Sequence, residues 1–230
     1  MKTKEPPALV SVVLCTFNRA ELLERAVDSV LGQSYPQFEL ILVNDGSTDS
    51  THEVIERMLR TDNRIHAIHR ANRGLAQSRN DALNRARGVY FSFIDDDDEY
   101  TPEHLQERVR YFDEHPETDI VWGGLVPQGP EDRHYVIDME NPDKKIHLRD
   151  CFVSGTLFGK LSVFRSLGGF RDLEYAEDWD FIKRAQEQFV IQRVDVPTYL
   201  YYIDAPNRMS DLYAKGKGDA IREYRRKGRR

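Results

Sequence analysis

Four times within its first half the chain passes from a short apolar stretch through a polar turn into a segment with helical periodicity, and this alternation constrains the fold more than any other feature. Residues 10–15 are apolar and largely β-branched. Behind them Leu22, Leu23, Ala26, Val27, Val30 and Leu31 recur at helical spacing, with Asn18 placed as the N-cap. Residues 38–43 repeat the strand signal, 44–49 form a turn cluster, and 51–59 carry Val54, Ile55, Met58 and Leu59 at helical intervals. Residues 64–69 alternate weakly, 72–74 turn, and 75–87 read as a helix ended by Gly88. Residues 89–94 form a strand bounded by five acids, and Pro102 opens a helix running to about His115. Such a series predicts a parallel sheet with helices on both faces and its ligands at the carboxyl ends of the strands. The turns at 16–19, 44–49, 72–74 and 95–98 should therefore meet along one edge.

Past residue 124 the alternation breaks into short mixed segments. These include 135–139 and 152–158, a strand-like stretch near 191–196 and the tyrosine-rich 199–203, with helices expected at 162–167, capped by Gly168 and Gly169, and at about 178–188. No linker or repeat separates this part, so residues 1–214 read as one domain. Residues 8–124 would be its ligand-binding half and 125–214 a smaller mixed α+β half. Residues 215–230 carry a net charge of +6, against −12 for the rest. A solvated terminus and a docking site for anionic lipid both fit that tail.

Composition excludes several classes. With 33 Lys and Arg against 39 Asp and Glu, the net charge of −6 argues against a chain built to coat nucleic acid. A hydrophobic share of 40% supports a packed interior rather than disorder. Pro6 and Pro7 interrupt what would be a signal-peptide core, and no run is long enough to span a membrane. Cys15 and Cys151 are too few and too far apart for a disulfide framework or a CxxC site. A reduced, cytoplasmic protein is the simplest expectation.

The chemistry should lie in the turns. Asp95, Asp96, Asp97, Asp98 and Glu99 follow an apolar strand directly, and carboxylates two apart point to one side, where they suit Mg²⁺ or Mn²⁺. An acidic loop capping the next helix fits the same spacing. Asp45 could accept hydrogen bonds from a nucleobase or ribose, with Gly46 easing the turn, and a plain turn with a cap from Asp49 or Ser50 fits equally. Glu177 and Asp178, beside Trp179, read either as a helix start or as a general base. Arg79 could reach an anionic ligand or lie on a helix surface.

Taken together, Ser11–Arg19, Val43–Asp49, Ser78-Arg79-Asn80, Phe93–Asp98, Gly168-Gly169-Phe170 and Glu177-Asp178-Trp179-Asp180 resemble glycosyltransferase family 2 in order and approximate spacing. The resemblance covers roughly residues 8–190. It implies the GT-A fold, with a Rossmann-like, mostly parallel central sheet, and an inverting transfer of a sugar from a nucleotide diphosphate donor to an acceptor hydroxyl, assisted by Mn²⁺ or Mg²⁺. By the same resemblance Thr16, Asn18, Arg19 and Asp45 form the nucleoside pocket, with Arg79 adding contacts. Asp95 and Asp97 match the DXD motif, Asp96 stands where a ribose contact is expected, Asp97 is the foremost metal ligand, and Asp178 matches the catalytic base.

Departures are Cys15 where the family usually has Pro, Asn44 where it has Asp, and Asp204 near the place of a metal-facing His, which suggests Asp204 as a further oxygen ligand. The QxxRW signature of processive synthases is absent, so a single-addition enzyme is expected. A UDP-sugar donor, a glycan or lipid-linked acceptor in cell-surface polysaccharide or glycoconjugate synthesis, and peripheral contact with the inner membrane face complete the expectation. The competing readings are a catalytically silent nucleotide-sugar binding module and a sugar nucleotidyltransferase, although the latter's Gly-rich first loop is missing.

Overall fold

Strand β1 (Val10–Thr16) is the axis of the molecule, because every residue in it except Cys15 is buried and both its edges are paired. The computed structural model describes residues 7–137, 141, 143–173, 177–206 and 208. In chain order, β1 is followed by α1 (Ala20–Leu31), β2 (Phe38–Asn44), α2 (Thr51–Met58), β3 (Ile65–His69), α3 (Leu75–Arg85), β4 (Tyr90–Asp95), β5 (Glu99–Tyr100) and α4 (His104–Glu114). The second half adds β6 (Ile120–Trp122), β7 (Leu125–Gln128), β8 (Tyr135–Ile137), β9 (Lys145–His147), β10 (Phe158–Lys160), α5 (Leu161–Ser166), α6 (Glu177–Gln186), β11 (Ile191–Arg193) and β12 (Tyr199–Tyr202). A seven-stranded sheet runs β11-β6-β10-β4-β1-β2-β3, beside a three-stranded sheet β5-β12-β7 and the hairpin β8-β9.

The period of two along each strand divides the core into two layers. Val10, Val12 and Leu14 of β1, with Leu40 and Leu42 of β2, pack against α1, α2 and α4. Val13, Ile41, Val43, Phe91 and Phe93 face the other way, onto α3, α5 and α6. Helix α1 buries Leu23, Ala26, Val27 and Val30, a single stripe at helical spacing. Each such side chain contributes about 1.5–3 kcal/mol on burial. The layers draw on both halves of the chain, Phe158 and Tyr199 on one face and Phe164 and Phe181 on the other.

The parallel block β3-β2-β1-β4 is the one expected. The sheet departs from it beyond β4, where β10 enters antiparallel between β4 and β6. Three-residue strands such as β6 and β10 carry too little pattern to show direction. Gly88 is not a left-handed helix cap, since the helix stops at Arg85. A side chain at Gly88 would strike Ser11, with a Cβ 2.6 Å from its Oγ, so glycine serves a close approach to β1. Of the short segment 135–139, Asp138 and Met139 lie outside the described residues, as does the basic tail 215–230.

Candidate active site

The carboxyl ends of β1, β2, β3 and β4 lie side by side, so the turns after them meet. Asn18 follows β1 with φ of 54°, the only non-glycine residue among those described in the left-handed region, which asparagine tolerates better than most. It is not the N-cap of α1; Arg19 is, and its side chain does not cap. Asn18 instead ties the first turn to the second, its Oδ1 accepting from Thr48 N (2.7 Å) and its N–H donating to Ser47 Oγ (2.9 Å). The start of α1 is capped from a distance, with Ala20 N donating to Asp49 Oδ2 (3.3 Å).

Asp45 is buried at the end of β2. Its Oδ1 accepts from Arg73 N (3.0 Å) and its Oδ2 from Gly74 N (2.8 Å), and Arg70 Nε stands 3.4 Å from Oδ1. The side chain thus holds the third turn against the second, while each oxygen keeps a second lone pair. Gly46 is required there, because its φ is 81° and a Cβ would lie 2.6 Å from Asn72 N. Asn72 itself is buried, and its Oδ1 has no partner among the described residues. Such an acceptor costs stability unless a ligand or water uses it. In the sequence Asn72 carries no signal beyond that of a turn residue.

The acids after β4 alternate. Asp96 and Asp98 are buried, whereas the side chains of Asp95 and Asp97 keep 30% and 15% of their surface. Thr16 Oγ1 donates to Asp96 Oδ2 (2.7 Å), and Arg19 Nη1 meets Asp97 Oδ2 (3.1 Å). Asp98 accepts from Tyr199 OH (2.7 Å) and Tyr202 N (2.9 Å), which fastens the turn to β12. Tyr199 reaches it past Gly155, where a Cβ would sit 2.1 Å from the phenol oxygen. Arg25, on α1, donates to the Asp97 carbonyl (2.5 Å) and pairs with Glu99 at 3.1 Å. Crowded carboxylates resist ionisation. Burial, then the charges on its neighbours, pushes Asp96 up to about 7 against the pull of Arg19. Burial and Asp95 likewise raise Asp97, and burial with Asp97 and Asp95 carries Asp98 well above the carboxylate range.

Arg79 draws the remaining motifs together. It is 2% exposed, and its guanidinium meets Asp95 Oδ1 (3.0 Å), Glu177 Oε1 (3.2 Å) and Ser154 Oγ (2.9 Å). Burial opposes its charge, but Asp95 and Glu177 hold the guanidinium ionised and raise its pKa. Beneath it lie Phe93 and Phe170, with ring centroids 5.1 and 5.9 Å from Cζ. Asn80 clamps Phe170, donating to its carbonyl (2.8 Å) and accepting from its N–H (2.9 Å), and Gly169 leaves room for that clamp. One guanidinium therefore joins the acidic turn to the start of α6.

Asp178 stands in the first turn of α6 beside Glu177, half-buried, with Oδ1 accepting from Trp179 N (2.8 Å). Burial, then Glu177, pushes its carboxyl up to about 6, with Arg79 opposing. A carboxyl poised there is ionised at neutral pH yet more basic than an ordinary aspartate. Cys15 is held as a thiol, because burial raises it further than Arg79 lowers it. Asp204, two residues beyond the Tyr202 N–H that Asp98 accepts, has a side chain 58% exposed and paired with Arg133.

The oxygen donors of Asp95 and Asp97 suit a hard divalent cation, which would relieve the repulsion among these acids. Two protein carboxylates are what such an ion uses when phosphate oxygens and water complete its shell.

The glycosyl transferase family 2 model matches residues 11–167. The uncharacterized glycosyltransferase EpsJ of Bacillus subtilis (strain 168) is 38% identical over 128 residues, covering 56% of this chain and 37% of that protein. The chain thus spans well under half of that relative's length. Among solved structures, S. aureus TarS 1–349 in complex with UDP-GlcNAc superposes with a TM-score of 0.70 at 21% identity, over 95% of this chain and 66% of that one. The mannosyltransferase PcManGT from Pyrobaculum calidifontis, in complex with GDP-Man and Mn²⁺, gives 0.71 at 21% identity, over 95% and 65%. The fold is the expected GT-A arrangement.

Proposed function

The chain belongs to glycosyl transferase family 2, and from that premise we propose that it transfers a sugar from a nucleotide diphosphate donor to an acceptor hydroxyl with inversion at the anomeric carbon. The observation that carries this reading is Arg79, which brings Asp95 of the acidic turn and Glu177, neighbour of Asp178, onto one guanidinium. Thr16, Asn18, Arg19, Asp45 and the unpartnered Asn72 oxygen would line the nucleoside end of the cleft, with Asp96 nearest the ribose. Asp95 and Asp97 would hold Mn²⁺ or Mg²⁺, which supplies a counter-charge to the departing diphosphate.

Asp178 would accept the proton of the acceptor hydroxyl as its oxygen bonds to the anomeric carbon. The bond from that carbon to the diphosphate breaks, and the electron pair leaves with the nucleotide. One displacement on the face opposite the leaving group inverts the centre. Asp178 is suited to the task because its raised affinity for a proton makes it a better base while leaving it ionised at pH 7. Arg79, charged and buried, would keep Asp95 and Glu177 in register and lend positive potential near the diphosphate.

The relatives differ in donor, UDP-GlcNAc for TarS and GDP-Man for PcManGT, so the base is to be read by experiment. A UDP-sugar, a single addition per encounter and a glycan or lipid-linked acceptor remain part of the proposal. Among the described residues no helix is long and apolar enough to cross a membrane. Thermal stabilisation by UDP, GDP, CMP and dTDP, each with and without Mn²⁺, tests the reading, since a ligand of the native state raises the melting temperature by mass action. A Mn²⁺-dependent rise for one nucleotide, abolished in Asp97→Ala, is expected. No rise with any nucleotide would overturn the proposal, and a rise without turnover on any sugar nucleotide would favour a silent binding module.

A further inference from the structure

A second group of side chains of the kinds that ligate metals lies where the start of α2 meets the end of β3. His52 and Glu56 stand one helical turn apart on α2, and spacing of i and i+4 puts them on one face. His69 is the last residue of β3, across from them. The Nδ1 atoms of His52 and His69 are 3.2 Å apart, and His69 Nε2 is 3.4 Å from Glu56 Oε1. One ligand atom from each residue falls within 4.8 Å of the others, the one such trio of His, Cys, Asp or Glu among the described residues. The imidazole rings meet edge-on, with centroids 4.5 Å apart.

We infer that His52, Glu56 and His69 form a binding site for a borderline transition-metal ion, Zn²⁺ foremost, distinct in kind from the oxygen-lined turn at Asp95 and Asp97. Two imidazole nitrogens and a carboxylate are a ligand set that Zn²⁺ accepts, whereas Mg²⁺ and Mn²⁺ prefer oxygen. Ligand atoms around a tetrahedral ion with bonds of about 2.0–2.1 Å lie a little over 3 Å from one another, as the Nδ1 atoms of His52 and His69 already do, while Glu56 stands beside the other ring nitrogen of His69 and must turn its carboxylate toward that pair. Glu56 and His69 are part-exposed, so small side-chain rotations bring the third atom in and leave a coordination position open to solvent.

The site would join the start of α2 to the end of β3, on either side of the turn that carries Asp45. His69 also lies against Asn44, whose Nδ2 is 3.5 Å from its Nδ1 and whose Oδ1 accepts from Ser47 N (2.9 Å). His69 precedes Arg70, which faces Asp45. A metal here would brace the second and third turns. The inference rests on these three side chains and stands whatever reaction the cleft performs.

The test is Zn²⁺ binding to tag-free chain, read by competition with a colorimetric chelator, with Co²⁺ absorption reporting coordination number. The native chain and Asp97→Ala should each bind one Zn²⁺ and give the intense visible bands of four-coordinate Co²⁺. His52→Ala and Glu56→Gln, both changed at exposed or part-exposed positions, should lose at least the roughly 10–100-fold that even an outer-shell change costs a metal site. They should also lose the Zn²⁺-induced rise in melting temperature while keeping the metal-free value. Equal affinity in the native chain, His52→Ala and Glu56→Gln would overturn the inference, as would Zn²⁺ binding that vanishes in Asp97→Ala.

Discussion

The turn after β2 and the turn after β4 flank the same central strand, and both are acidic, yet the chain uses them in opposite ways. After β2, Asp45 accepts two backbone N–H groups, and Asp49 accepts from Ala20 N, Thr51 N and Thr51 Oγ1. Burial would raise Asp49, but these hydrogen bonds outweigh it and hold its carboxyl below the usual value. After β4, Asp96, Asp97 and Asp98 are all pushed up, by burial first and then by the neighbouring charges of Asp95 and, for Asp96 and Asp98, Asp97. The first turn is a clamp whose acids are hydrogen-bonded within the fold, with Asp45 keeping acceptor capacity for a ligand. The second stores repulsion that a cation can relieve.

The contrast breaks most visibly at Arg79. Arg79→Ala leaves Glu177 buried and Asp95 without its cation, and stability should fall by about 3–5 kcal/mol in urea denaturation. A loss below about 1 kcal/mol would mean that the guanidinium does not hold the two motifs together. Asp45→Ala strands the N–H groups of Arg73 and Gly74 and should cost about 1–3 kcal/mol by the same measurement.

Asp49→Ala should cost about 1 kcal/mol, as loss of a helix cap does. Its sign with pH follows from its lowered pKa. The contribution is present above the unfolded value of 3.8 and fades as pH falls through the lower folded value, so native and variant should converge in acid. Asp97→Ala should change stability least, by under about 1 kcal/mol, because removing one of several repelling carboxylates offsets the lost pair with Arg19. If Asp97→Ala proved as costly as Asp45→Ala, the two turns would not differ in the way described.

The first four strand–helix units were legible in the sequence because periods of 2 and 3.6 separate cleanly over runs such as residues 10–31, and turns of Asn, Asp, Gly and Ser mark the joins. Asp95, Asp97 and Asp178 could be picked out by motif. The alternating burial of residues 95–98 arises in a turn closed by Asp98 N donating to the Asp95 carbonyl, and the long-range contacts carry no local mark either: Ser154 and Glu177 reach Arg79 from 75 and 98 residues away. Asn18 misled because an N-cap and a left-handed turn residue share the same composition. Asn72, Arg25, Tyr199 and the trio His52, Glu56 and His69 left no local signal. Their roles depend on which strands the sheet sets side by side, and the antiparallel entry of β10 was hidden in a three-residue strand.

The most direct test of the central claim is nucleotide release from UDP-GlcNAc and GDP-mannose in the presence of Mn²⁺, with water as acceptor, followed from pH 5 to 8 in the native chain, Asp178→Asn and Asp97→Ala. The account predicts release from one donor that falls away below about pH 6 as Asp178 takes up its proton. Asp178→Asn should slow it about 10²–10⁴-fold, the usual share of a positioned base. Release that is unchanged in both variants and indifferent to pH across that range would contradict the account.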